Sequence, residues 1–150
     1  MGVATVLLAE LRLHLREPRT TVGIRQGIAG VAVVVGMYVT TAIVHGAPVV
    51  PAANLICVAA IITWCALGDG PGAICGAIAA VVGPAAEISL VQIGVFAYNP
   101  GSDGFFGVGV FLVPLYFAFG VVVAVLAELL AVRRGGQAEM ASVVSGPGAC

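Results

Sequence analysis

One carboxylate stands out as a residue that could do chemistry. Glu87 is the only formal charge inside any of the four long apolar runs of this chain. Sixteen residues past Pro71 and eleven before Tyr98, it is placed well inside hydrocarbon. An ionised carboxylate there needs a partner, and no Arg or His occurs within the runs except His45 at a boundary. Desolvation therefore favours the protonated acid, which is a hydrogen-bond donor. Pro84 lacks the N–H that would satisfy the Ala80 carbonyl, and Gly83 lies one turn before Glu87. Three roles stay open: a bond to one of those two carbonyls, a place in the wall of a lipid-binding cavity, or proton coupling in transport. Gln92 follows on the same run, well around the helix from Glu87.

Other reactive types form no constellation. His14 and His45 stand near opposite ends of the bundle, too far apart to share a metal, and His14 suits headgroups or solvent. Cys57, Cys65 and Cys75 sit inside apolar runs and read as small buried hydrophobes, while Cys150 is terminal. There is no nucleophile–base–acid set, HExxH motif, phosphate-cradling glycine loop or acidic pair for magnesium, so no enzyme, metal or cofactor is expected. Trp64, Tyr98 and Tyr116 read as interfacial anchors or core residues.

The elements that carry these residues follow from composition. Of 150 residues, 61% are hydrophobic and 9% charged, far from a soluble mix. The runs 26–47, 51–67, 71–98 and 105–127 are each long enough to span a bilayer, and without strand alternation they must be helices. The expected fold is an all-α polytopic transmembrane bundle of four spans. Turn chemistry separates them at Gly46–Pro48, Gly68–Gly72 and Asn99–Gly104, making consecutive helices antiparallel neighbours. Gly72, Gly76, Ala80 and Gly83 form a smooth face for a neighbouring helix, from this chain or another copy.

Residues 1–15 are only partly apolar and lack a signal-peptide pattern. With Leu7, Leu8, Leu11 and Leu15 opposite Glu10, Arg12 and Arg16, they suit a partial or interfacial helix. The domain is taken as 1–134, and the Gly-, Ser- and Ala-rich segment 135–150 as a flexible tail. Arg12, Arg16, Arg19 and Arg25 precede the first run and Arg133 and Arg134 follow the last. The positive-inside rule therefore places both termini and Asp69 in the cytoplasm and Asp103 outside. Six Arg against seven acids give a net charge of −1, with no basic surface for a nucleic acid. The absence of Lys beside abundant Ala, Gly, Val and Arg suggests a GC-rich bacterial source.

Several segments, in order, resemble the insulin-induced gene (Insig) family of polytopic sterol-responsive membrane proteins. Leu13-His14-Leu15-Arg16-Glu17-Pro18 looks like that family's His-Leu-x-Glu-Pro entry to a span. The turn from Trp64 to Gly72, with Asp69, resembles its cytoplasmic aspartate loop. Most specific is Gly94-Val95-Phe96-Ala97-Tyr98, a loop with Pro100 and Asp103, then Phe111-Leu112-Val113-Pro114. Together these cover residues 13–127. In the family two further helices precede the first motif. Met1 stands about where the second would end, so the bundle is expected to be incomplete, with oligomerisation or lipid filling the gap. The Asp69 loop lacks the Arg and Ser of animal members, so regulation of a sterol-sensing escort protein is not carried over.

The resemblance implies a non-catalytic protein holding a membrane lipid or sterol-like ligand in a membrane-accessible cavity, with self-association into a homo-oligomer. Expected lining residues are Glu87 and Gln92, with Phe111, Tyr116 and Phe119 opposite from helical facing; Asp69 is the candidate for partner contact. A small oligomeric proton-coupled transporter using Glu87 is the alternative.

Overall fold

The structure is a computed structural model that describes residues 2–43, 48–95, 97 and 106–144. His45, Tyr98, Pro100 and Asp103 lie outside the described residues. Among the described residues the regular elements are five helices: α1 (Gly2–Leu15), α2 (Ile24–Ile43), α3 (Val49–Leu67), α4 (Gly70–Gln92) and α5 (Leu112–Val144). Among the described residues, α2, α3, α4 and Leu112–Ala138 of α5 are the four stretches long and apolar enough to cross a membrane. The protein is a polytopic helical bundle, as the apolar runs predict.

The span boundaries shift where local backbone chemistry overrides hydropathy. The third span ends at Gln92 rather than at 98, because Gly94 adopts φ +74 and the Val95 N–H donates to the Leu90 carbonyl at 3.0 Å. That six-to-one bond with a left-handed glycine terminates a helix regardless of the apolar residues beyond it. The fourth span begins at Leu112 rather than at 105, since Phe106 and Gly107 have φ of 50 and 82. Pro114 falls in the first turn of α5, where its missing N–H removes no helical bond. At its other end α5 does not stop at 127. It continues through Gly135 and Gly136 to Val144, into the segment expected to form a tail. The two glycines cost about 1 kcal/mol each in a helix, yet Arg133, Arg134, Gln137 and Ala138 around them favour it and no proline intervenes before Pro147.

α5 is the central rod, and each of the other four helices packs against it. Leu115, Ala118, Val121, Ala124 and Val125 are almost completely buried along its length. The tightest neighbour is α4, and the small-residue face explains why: it is used within the chain. A Cβ on Gly120 would lie 2.6 Å from the Cys75 carbonyl oxygen and 2.8 Å from the Cα of Gly76. A Cβ on Gly83 would lie 2.4 Å from the Tyr116 ring. The two backbones can approach this closely only without side chains at those positions.

α1 packs along the bundle, against α4 and α5. Its 14 residues reach about 21 Å, short of a hydrocarbon core of roughly 30 Å. It runs antiparallel to α4 along the bundle: Arg12 meets Asp69, the Leu8 carbonyl lies 3.8 Å from Cys75 Sγ, and Ala4 shares a cavity wall with Val82. Its polar and apolar faces are not used as the spacing suggests. Leu7 and Leu15 are exposed and Arg12 is fully buried, because the bundle presents carboxylates to Arg12. Among the described cysteines Cys75 alone is buried; Cys57 and Cys65 face outward from α3, a surface that in a spanning helix is apolar solvent rather than core.

Gly120→Ala is expected to destabilise the bundle by about 1–3 kcal/mol, since backbone of α4 must move to admit the methyl. Gly36→Ala, with nothing within 4 Å of the added Cβ, should leave stability unchanged or raise it. Unfolding of both variants in detergent, followed by circular dichroism, measures the difference.

Candidate functional site

Two polar clusters interrupt the apolar interior, twelve residues or about 18 Å apart along α5. The first surrounds Glu128, which is fully buried. Arg12 Nη2 donates to Asp69 Oδ2 at 3.0 Å and is ion-paired with Glu128 Oε1. Arg12 Nη1 donates to the Arg16 carbonyl at 3.0 Å, closing the end of α1. Arg19 Nε donates to Glu128 Oε2 at 2.9 Å, and Arg19 Nη2 donates to the Leu67 carbonyl at 3.2 Å. Asp69 also accepts from the Gly72 N–H at 2.7 Å as the N-cap of α4, and its Oδ2 lies 3.6 Å from Arg19 Nε. Two cations and two anions make the cluster formally neutral. It ties α1, the α1–α2 connection, the end of α3, the start of α4 and α5 together.

The second cluster joins α4 to α5. Tyr116 Oη donates to Glu87 Oε1 at 2.6 Å. Tyr38 of α2 stands within hydrogen-bonding reach of Tyr116 and within electrostatic reach of Glu87. Glu87 thus accepts from a side chain on another helix, a bond the sequence did not suggest beside the three roles it left open. With α4 ending at Gln92, its carboxyl also lies nearer the end of the span than the run 71–98 implied.

Beside this pair is a cavity of about 350 Å³. Leu7, Leu8 and Leu11 of α1 form one wall, Ala79, Val82 and Ala86 of α4 the second, and Tyr116 and Phe119 of α5 the third. The lining is otherwise apolar, so Glu87 and Tyr116 supply its polar side-chain atoms. The Tyr116 and Phe119 rings meet edge to face, with centroids 6.3 Å apart. Leu7 and Val82 are more than half exposed at the rim, so the cavity opens sideways, along the apolar flank of the bundle.

Three of the five expected lining residues, Glu87, Tyr116 and Phe119, converge here. Gln92 does not: it is the last residue of α4 and is exposed. Phe111 does not either, since it precedes α5 and packs against the core cluster of Met37, Ile56 and Leu115. Asp69, the candidate for partner contact, is held inside the chain by Arg12, Arg19 and its capping bond. His14 is exposed, as its isolation suggests, with Nδ1 3.3 Å from the Glu10 carbonyl oxygen. Trp64 closes α3, with its Nε1 donating to the Asp69 carbonyl at 3.3 Å. Sequence reasoning missed Glu128, one residue beyond the expected end of the fourth run, and the burial of Arg12. A partial signal was available for Glu128, a lone acid directly following a long apolar run, whereas Arg12 has no comparable mark, since Glu10 in the same helix has similar flanks and is exposed.

An INSIG protein homolog from Mycolicibacterium vanbaalenii is 63% identical over 151 residues, spanning 99% of this chain and 74% of its own length. The chain belongs to the Insig family. The crystal structure of the mycobacterial Insig homologue MvINS from Mycobacterium vanbaalenii matches this Insig homologue with a TM-score of 0.86 at 67% identity, covering 89% of this chain and 70% of that one. A cross-linked trimer of MvINS carrying a cysteine substitution matches with the same TM-score at 65% identity and equal coverage. No family model matches the chain.

Removing one member of the neutral cluster leaves a buried, uncompensated charge. Glu128→Ala is expected to cost about 3–5 kcal/mol, while joint replacement of Arg12 and Glu128 by Met should recover most of that loss. Detergent unfolding of the single and double variants checks the non-additivity.

Proposed function

We propose that this Insig homologue is a non-catalytic lipid-binding protein of the bacterial cell membrane, holding a sterol-like or other weakly polar lipid between α1, α4 and α5. The observation that carries this reading is the sideways-opening apolar cavity with a single polar pair, Glu87 and Tyr116, in its wall. Its volume falls within the usual range of small-molecule sites, roughly 300–1,000 Å³. Apolar contact with Leu7, Leu11, Val82 and Phe119 would hold the body of the ligand, and a hydroxyl or ester group would meet the Glu87–Tyr116 pair. The exposed rim at Leu7 and Val82 gives a lipid a route from the bilayer that never crosses water.

Two further features complete the proposal. The arginine distribution supports an orientation with the Asp69–Glu128 end and both ends of the chain on the cytoplasmic side. The cross-linked MvINS trimer supports self-association of this chain as well.

Native mass spectrometry of gently extracted protein tests the reading. The wild type should retain about one lipid per chain. Ala86→Trp, which adds bulk at an exposed position of the wall, should abolish retention with folding intact. Glu87→Gln should keep the lipid, since an amide oxygen still accepts from Tyr116, whereas Glu87→Leu should weaken retention about five- to tenfold, the worth of one hydrogen bond. Full retention by Ala86→Trp would sink the proposal. Loss of proton flux in Glu87→Gln vesicles, in a wild type that carries such flux, would replace it with coupled transport.

A further inference from the structure

The neutral cluster consumes Arg12 and Arg19, and the other four arginines, Arg16, Arg25, Arg133 and Arg134, are exposed at the same end of the bundle. Their placement around α5 is uneven. The buried face of α2 is Gly27, Gly30, Val34 and Met37. A Cβ on Gly27 would meet Leu126 and Leu129, and one on Gly30 would meet Val122. α2 and α5 are therefore antiparallel, with residues 122, 126 and 129 of α5 forming the contact stripe. Arg133 continues that stripe one turn outward. The residues that follow the contact positions, Ile28 and Leu130, fall on one common side of the seam because the helices run in opposite directions. Both are exposed, at 65% and 54%.

Each helix thus presents the same order on this side, an exposed aliphatic residue and, one turn outward, an arginine: Ile28 then Arg25 on α2, Leu130 then Arg134 on α5. Arg133 lies between them. The exposed acids Glu10 and Glu17 belong to α1 and the connection that follows it, and α1 packs against α4 and α5. A strip that changes from aliphatic to cationic within one helical turn matches the boundary between acyl chains and phosphates in a leaflet.

We propose that the outer end of the α2–α5 seam binds the headgroup of an anionic phospholipid, its phosphate between Arg25, Arg133 and Arg134 and its chains along Ile28 and Leu130. Guanidinium groups suit phosphate oxygens through paired N–H donors, and an aliphatic strip below them holds chains that free phosphate lacks. This site is separate from the cavity beside Glu87 and does not depend on what that cavity holds.

The test is native mass spectrometry of the full chain in neutral detergent, titrated separately with phosphatidylglycerol, phosphatidylcholine and inorganic phosphate. Phosphatidylglycerol should bind at least tenfold more tightly than phosphatidylcholine, and inorganic phosphate should not compete at equal concentration. Arg25→Gln combined with Arg133→Gln should reduce the preference to threefold or less, at about fivefold lost per arginine near the headgroups. Arg16→Gln, an exposed arginine on the α1 side, should preserve it, and melting curves confirm that all variants fold. Three results would each overturn the proposal: equal affinity for the two lipids, competition by inorganic phosphate, or an equal loss in Arg16→Gln, which would indicate diffuse charge attraction.

Discussion

The ionic cluster around Glu128 is the constraint on which the arrangement of this bundle depends. In water, burying apolar faces would bring five helices together. In a bilayer the lipid chains are as apolar as the helices, so burial of Leu and Val gives little net drive. What remains is the fit of small residues and the few polar contacts that have no alternative partner in hydrocarbon. Arg12, Arg19, Asp69 and Glu128 are such contacts. Neutral as a group, they break roughly even against an apolar replacement, but no member can leave alone. Their contribution is therefore geometric: they fix which helix ends meet and at what height.

That height determines the rest. With the 12, 69 and 128 positions at one level, antiparallel packing brings Gly76 opposite Gly120 and Gly83 opposite Tyr116. The absence of a side chain at Gly83 lets the Tyr116 ring lie against α4, and from there its hydroxyl reaches Glu87, one turn further on. The same register places Leu8 against Cys75 and Ala79 and leaves Leu7 at the rim. The cavity is the space left between α1, α4 and α5 where small residues line α4. Cluster, glycine contacts and cavity are successive consequences of one alignment.

Much of this is legible in the sequence, for identifiable reasons. Spans are long signals averaged over some 20 residues, so four apolar runs give four helices with little ambiguity. Ends are local signals, and hydropathy is blind to them: Gly94 and Gly107 change the course of the chain through φ alone, inside stretches that are apolar throughout. Glu87 was accessible because an intramembrane carboxylate is rare, and Tyr116 through helical facing alone, without the bond that joins the two. Gln92 and Phe111 went astray through the same boundary errors, since a residue assigned to a span's interior changes neighbours when the span stops short of it. Arg12 was misread for a different reason. Amphipathic spacing ranks faces by average polarity, whereas a buried carboxylate can draw in one arginine and turn the more apolar face, with Leu7 and Leu15, outward.

The two ends of the bundle consequently behave as opposites. At the Glu128 end two cations meet two anions, the charge sums to zero and the interior is closed, with the buried Arg12 Nε left without a hydrogen-bond partner. At the Glu87 end one phenol and one carboxyl group, joined by a hydrogen bond, border an open, apolar space. The hydrogen-bonded pair and the exposed arginines therefore stand at different levels of α5 and α2, with the neutral cluster between them along α5.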